Sequence, residues 1–102
     1  MKKSLLVIFL TLFPFFSFAI PNGCYDGISG AAKGRKCAVH IQGSTFSCTN
    51  RNGEVIARWK IVSESDGTLY LKSEYGASAK ATWWREDGKV YLNWNGAIHI
   101  LN

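Results

Sequence analysis

Residues 55–94 read VIARWKIVSESDGTLYLKSEYGASAKATWWREDGKVYLNW, and they decide the fold. Apolar and polar residues alternate within short segments. Asp66-Gly67, Gly76-Ala77-Ser78 and Asp87-Gly88 break those segments at short intervals. Side chains on a strand point alternately to two faces, so this pattern belongs to strands with one buried face. Asp-Gly between alternating segments is a strong hairpin signal, because the tight turns that match strand twist need positive φ there.

Parity tests the face assignment. In Val55–Ser63 the apolar set Val55, Ala57, Trp59 and Ile61 is odd-numbered, and in Leu69–Tyr75 the set Leu69, Leu71 and Tyr75 is odd too. A two-residue Asp66-Gly67 turn would pair odd with even and set the faces in conflict. A three-residue loop, Ser65-Asp66-Gly67, instead pairs Ile61 with Leu71 and Trp59 with Ser73, with Gly67 as the left-handed last residue. Asp87-Gly88 as a two-residue turn pairs Trp83 with Leu92 and Arg85 with Val90, and Gly76-Ala77-Ser78 as a three-residue loop pairs Leu71 with Trp83.

The same rule extends upstream. Asn52-Gly53 pairs Phe46 with Trp59 and Cys48 with Ala57, and Gln42-Gly43 pairs Val39 with Phe46. No window of useful length carries a 3.6-residue apolar period. The expectation is an all-β domain: a small up-and-down antiparallel meander of about eight short strands, barrel-like or a curled sheet. Ala97–Leu101 can close it onto the first strand, Cys24–Ser29. Phe46, Trp59, Trp83 and Trp94 form the densest part of the expected core.

The start of the chain, MKKSLLVIFLTLFPFFSFA (residues 1–19), reads as a secretory signal peptide. Lys2 and Lys3 precede an apolar run interrupted by Pro14 and too short for a comfortable span, and Ser17-Phe18-Ala19 has the small residues that signal peptidase reads. Residues 20–102 then form a single all-β domain, secreted or periplasmic, in a compartment that permits disulfides. Lipidation at Cys24 is the weaker alternative, because Pro21 and Asn22 fit a lipobox poorly. Of the 12 Lys and Arg, two leave with the leader, so the excess over the 7 Asp and Glu is modest and does not indicate a nucleic-acid partner.

Three cysteines in an exported domain leave one odd. The register above sets Cys37 against Cys48, which makes that pair the favoured disulfide, with Cys24–Cys37 and then Cys24–Cys48 behind it. The spacing lacks the close Cys pair of a structural zinc site, and no metal or other cofactor is expected. His40 and His99 are read as outward. Asp26 is the one acid read as facing inward, unless a bulge at Gly27 turns it out. Lys33-Gly34-Arg35-Lys36 is a basic loop, read first as a solvated one. No Gly-x-Ser-x-Gly, no His-Glu-x-x-His and no close pair of inward carboxylates occurs, so the chain reads as a non-enzyme.

The outward set is more distinctive. Val62 is read opposite Tyr70, Tyr70 opposite Trp84, and Trp84 opposite Tyr91. Lys60, Lys72, Thr82 and Asn93 form the next row, and Arg58, Glu74 and Lys80 the one after. Aromatic strips of this kind on a small domain serve recognition or simply brace the sheet. Tyr70, Trp84 and Tyr91, with Lys60, Lys72 and Asn93 at the margin, are the expected contact residues for a glycan or a protein surface. A self-associating assembly subunit would bury the same strip against a second copy.

Leu69–Lys72, Gly76–Lys80 and Asp87-Gly88 through Trp94 resemble the second half of the small periplasmic barrels that inhibit c-type lysozyme, over about a third of the chain. Ser78-Ala79-Lys80 and Asn95-Gly96 stand where that family has a Ser-Gly-x-x-Tyr loop and a Lys-Gly loop. The resemblance implies an enzyme inhibitor acting through Gly76–Lys80 with Asn95-Gly96. The basic charge of this chain opposes docking on a basic enzyme.

Overall fold

The computed structural model describes residues 19–102, so the expected leader lies outside the described residues except for Ala19. Eight antiparallel strands follow one another around a closed barrel: β1 (Gly23–Gly27), β2 (Val39–Gln42), β3 (Thr45–Thr49), β4 (Val55–Ser65), β5 (Thr68–Ser73), β6 (Ser78–Glu86), β7 (Lys89–Trp94) and β8 (Ala97–Leu101). β8 closes on β1 through the pairs Tyr25–Leu101, Asp26–Ile100 and Gly27–His99. Closure removes the unpaired strand edges that an open meander would expose. Among the described residues no helix is long and apolar enough to cross a membrane.

The expected pairs Trp83–Leu92, Arg85–Val90, Phe46–Trp59, Cys48–Ala57, Ile61–Leu71 and Trp59–Ser73 are all present. Three turns need correction. Asp66 and Gly67, at φ 50° and 80°, form a two-residue turn after all. The parity conflict is absorbed by a bulge at Val62, after which Ser63, not Val62, faces Tyr70. An extra residue in one strand restores the faces that the short turn would have crossed. Gly76 ends the β5–β6 loop rather than beginning it: the Ser73 amide bonds the Ala77 carbonyl at 2.9 Å, leaving Glu74-Tyr75-Gly76 as the loop. Gly76 has φ 86°, so the left-handed residue is last, as such loops require. Leu71 therefore pairs with Ala79 instead of Trp83. Gly43-Ser44 is the β2–β3 turn, which sets Ile41 opposite Phe46 and Val39 opposite Cys48. Both of these slips are even-numbered, so the faces survive while the neighbours change.

The disulfide expectation is overturned. Cys24 bonds Cys37 and Cys48 is free. With Val39 opposite Cys48, the thiol of Cys48 belongs to the inner side with Val39, whereas Cys24 pairs with His40 on the outer side of the wall. Cys37 precedes β2, and its amide donates to the Asp26 carboxylate at 2.7 Å, which helps hold the residue at φ 49°. Asp26 thus faces outward; it also accepts from Asn102 Nδ2 at 3.1 Å and lies 3.8 Å from Lys36 Nζ.

Tyr25, Ile41, Phe46, Ile61, Leu69 and Leu92 form the fully buried centre. Trp94 packs edge-on to Phe46 at 4.9 Å and to Trp59 at 5.7 Å, while Trp83 packs on the core from the opposite end. The β1–β2, β3–β4, β5–β6 and β7–β8 connections gather at one end. There a 3₁₀ turn, Gly30–Ala32, folds across the mouth, tied by Gly27 N to Arg35 O at 2.9 Å and Gly34 N to Gly27 O at 3.0 Å. A side chain on Gly27 would collide with the Ala32 backbone, so only glycine admits this approach. At the other end the segment 19–22 turns in and buries Ile20.

Candidate functional site

The outer face follows from the register. On β6 and β7, Trp84 lies opposite Tyr91, and the rings stack at 5.5 Å with planes 15° apart. Tyr70 does not join them. It faces Lys80 across β5–β6, with Lys80 Nζ 5.5 Å from its ring centroid, because the β5–β6 pairing is displaced by four residues from the expected one. The aromatic strip is therefore split in two.

One part is basic. Lys60 on β4 pairs directly with Lys72 on β5, and Tyr70 on β5 and Lys80 on β6 share the same outer face. Like charges directly opposed on a sheet repel, so the Lys60–Lys72 pair adds no stability. The second part is apolar. Asn93 lies between Thr82 and Ile98, and Tyr91 between Trp84 and Ile100. Trp84, Tyr91, Ile98 and Ile100 are all half-buried and share the outer side of β6–β8. Ile28, just past β1, is exposed, and its amide bonds the Ile98 carbonyl at 2.8 Å.

His99, read as outward, faces inward, and Ile98 and Ile100 face outward. The signal that decides this is Asn95-Gly96. Both residues have positive φ, at 53° and 78°, which makes a two-residue turn pairing Trp94 with Ala97 and Leu92 with His99. Inward parity on β7 then dictates inward Ala97 and His99. His99 is buried, with Nδ1 3.1 Å from the Ala97 carbonyl. Burial holds its pKa below the usual histidine value, and the Arg35 charge adds to this, against backbone hydrogen bonds that favour the charged form. Burial likewise pushes the Cys48 thiol up, opposed by a hydrogen bond with Trp94 and by Arg35. A thiol held neutral is a poor nucleophile. Among the described residues no three His, Cys, Asp or Glu side chains gather where they could hold a metal.

No family model, curated protein or solved structure matches this chain. The loops near Gly76–Lys80 and Asn95-Gly96 lie at the same end of the barrel. The disulfide is compatible with an extracellular or periplasmic location.

Proposed function

We propose that this chain is an exported, non-enzymatic binding module whose β6–β8 outer face docks a protein surface. Trp84 and Tyr91 are the anchors, with Asn93, Ile98 and Ile100 around them. The observation behind this reading is the continuity of the stacked Trp84–Tyr91 pair with two outward isoleucines on β8. The barrel interior has its own core, so these residues are not needed to fill it. Aromatic anchors ringed by apolar groups suit a protein partner, whereas a glycan needs more hydroxyl-bonding groups than Asn93 and Thr82 offer. Tyr70, Lys60 and Lys72 lie on the separate basic face and are not part of the proposed contact.

A photo-crosslinking residue at position 91, in cells that export the protein, tests this. A discrete protein adduct is expected, lost with Trp84→Ala while the melting temperature stays within a few degrees. A glycan-array signal that depends on Trp84 would replace the protein partner with a glycan. A dimer mass by light scattering that halves in Trp84→Ala would make the partner a second copy. A second reading, an enzyme inhibitor acting through Gly76–Lys80 and Asn95-Gly96, draws support from Tyr75, which is 90% exposed at the tip of the β5–β6 loop. Inhibition that survives Trp84→Ala and vanishes with Tyr75→Ala would favour it.

A further inference from the structure

The barrel end crossed by the 3₁₀ turn is not filled. A hollow of about 320 Å³ lies there, walled by Trp59 and Trp94 and by small residues such as Ala38 and Ala57. Ile56, 63% exposed, stands at its rim. Small side chains facing inward are what leave the space; leucine or phenylalanine at such positions would close it. The volume sits at the lower end of the range for small-molecule sites, and small eight-stranded barrels hold one small ligand in this way.

Arg35 brings a positive charge to the hollow, whose other polar side chains, such as Thr49, Asn95 and His99, carry no negative one. Arg35 donates one guanidinium nitrogen to the Thr49 carbonyl, but its Nε is buried without a partner. The Trp59 indole Nε1 is buried without a partner as well. Both residues line the hollow, and no Asp or Glu does. Buried donors are costly to leave unmade, and the positive charge of Arg35 makes an anionic acceptor the favoured partner at the hollow. The apolar walls suit the rest of such a molecule.

We propose that this hollow binds a small apolar carboxylate, its tail against Trp59 and Trp94 and its carboxyl group on the donors of Arg35 and Trp59. The site is separate from the β6–β8 outer face, so either assignment stands without the other.

Octanoate, with octanol as the uncharged match, is the probe. Titration followed by the four indole N–H signals in a nitrogen–proton spectrum is expected to shift those of Trp59 and Trp94 saturably, leaving Trp83 and Trp84 in place. Arg35→Met is expected to weaken octanoate about tenfold or more and to leave octanol unchanged. Ala57→Leu, which fills the hollow while keeping both Arg35 and Trp59, is expected to abolish both and serves if Arg35→Met fails to fold. No saturable shift at millimolar octanoate, equal affinity for octanol in the unaltered protein, or binding indifferent to Ala57→Leu would each overturn the assignment.

Discussion

At one end of the barrel the chain turns in on itself. Ile20 is buried, the Tyr25 hydroxyl donates to the Pro21 carbonyl at 2.6 Å, and the Glu64 carboxylate accepts from Trp83 Nε1 at 2.8 Å. At the other end a 3₁₀ turn spans the mouth, tethered by backbone bonds and by the Cys24–Cys37 disulfide, over a hollow of about 320 Å³. One end is packed and the other is tied. Packing resists loss of volume and gives a rigid, self-satisfied closure. Tethering holds a boundary in place while leaving room and unpaired donors behind it. The barrel thus fills its centre and one mouth, and sets alanines between Trp59 and Trp94 at the other.

The largest test of that contrast is a pair of volume changes. Tyr25→Ala removes a fully buried ring at the packed end and is expected to destabilise by about 3–5 kcal/mol. Ala57→Leu adds volume at the hollow and is expected to change stability by less than ~1 kcal/mol, where a filled core would lose about 1–3 kcal/mol to overpacking. Urea midpoints at constant m-value measure both. Comparable losses would show that the two ends are equally full.

Titration separates the ends next. Burial pushes the Tyr25 hydroxyl up to about 12, with Arg85 opposing it. The folded protein then holds that proton where the unfolded chain has begun to release it, so stability falls as pH climbs from about 10 toward 12. His99 behaves in the opposite sense. Its folded pKa lies below the unfolded value, so the unfolded chain binds the proton first, and stability falls as pH drops below about 6.5. Each limb approaches at most ~1.4 kcal/mol per pH unit for one proton. Denaturation across the pH range is expected to show Tyr25→Phe flattening the alkaline limb alone and His99→Gln the acid limb alone.

The wall was more legible in the chain than its ends. Asp87-Gly88 is bounded by strands whose apolar parity agrees with a two-residue turn, so its register is determined by local chemistry alone. Asp66-Gly67 has the same turn chemistry, but the compensating bulge at Val62 is a tertiary adjustment that no residue type announces. The four-residue displacement of β6 kept every face and moved Trp84 away from Tyr70. Parity is blind to such even slips, which is why the outward aromatics and the Trp84–Tyr91 pair were identified and the separation of Tyr70 from Trp84 was not. The disulfide followed the two-residue slip at Gly43-Ser44. The ends depend on coil segments, 19–22 and 28–38, that carry no period; their placement comes from Gly27 meeting Ala32 and from Ile20 finding the interior.

The smallest test uses one substitution twice. Trp83 and Trp59 are both half-buried against the core, and replacing either with Phe removes the same atoms. The Trp83 N–H meets the Glu64 carboxylate, whereas the Trp59 N–H has no protein partner. Losing a hydrogen bond to a charged group costs stability, while deleting an unpaired buried donor relieves a desolvation penalty. Trp83→Phe is therefore expected to cost about 1–2 kcal/mol more than Trp59→Phe, the shared loss of volume cancelling in the difference. Equal costs by urea denaturation would mean that water already satisfies the Trp59 donor in solution. The two ends would then differ in volume alone, and the hollow would lose one of the two groups that give it a preference for an acceptor.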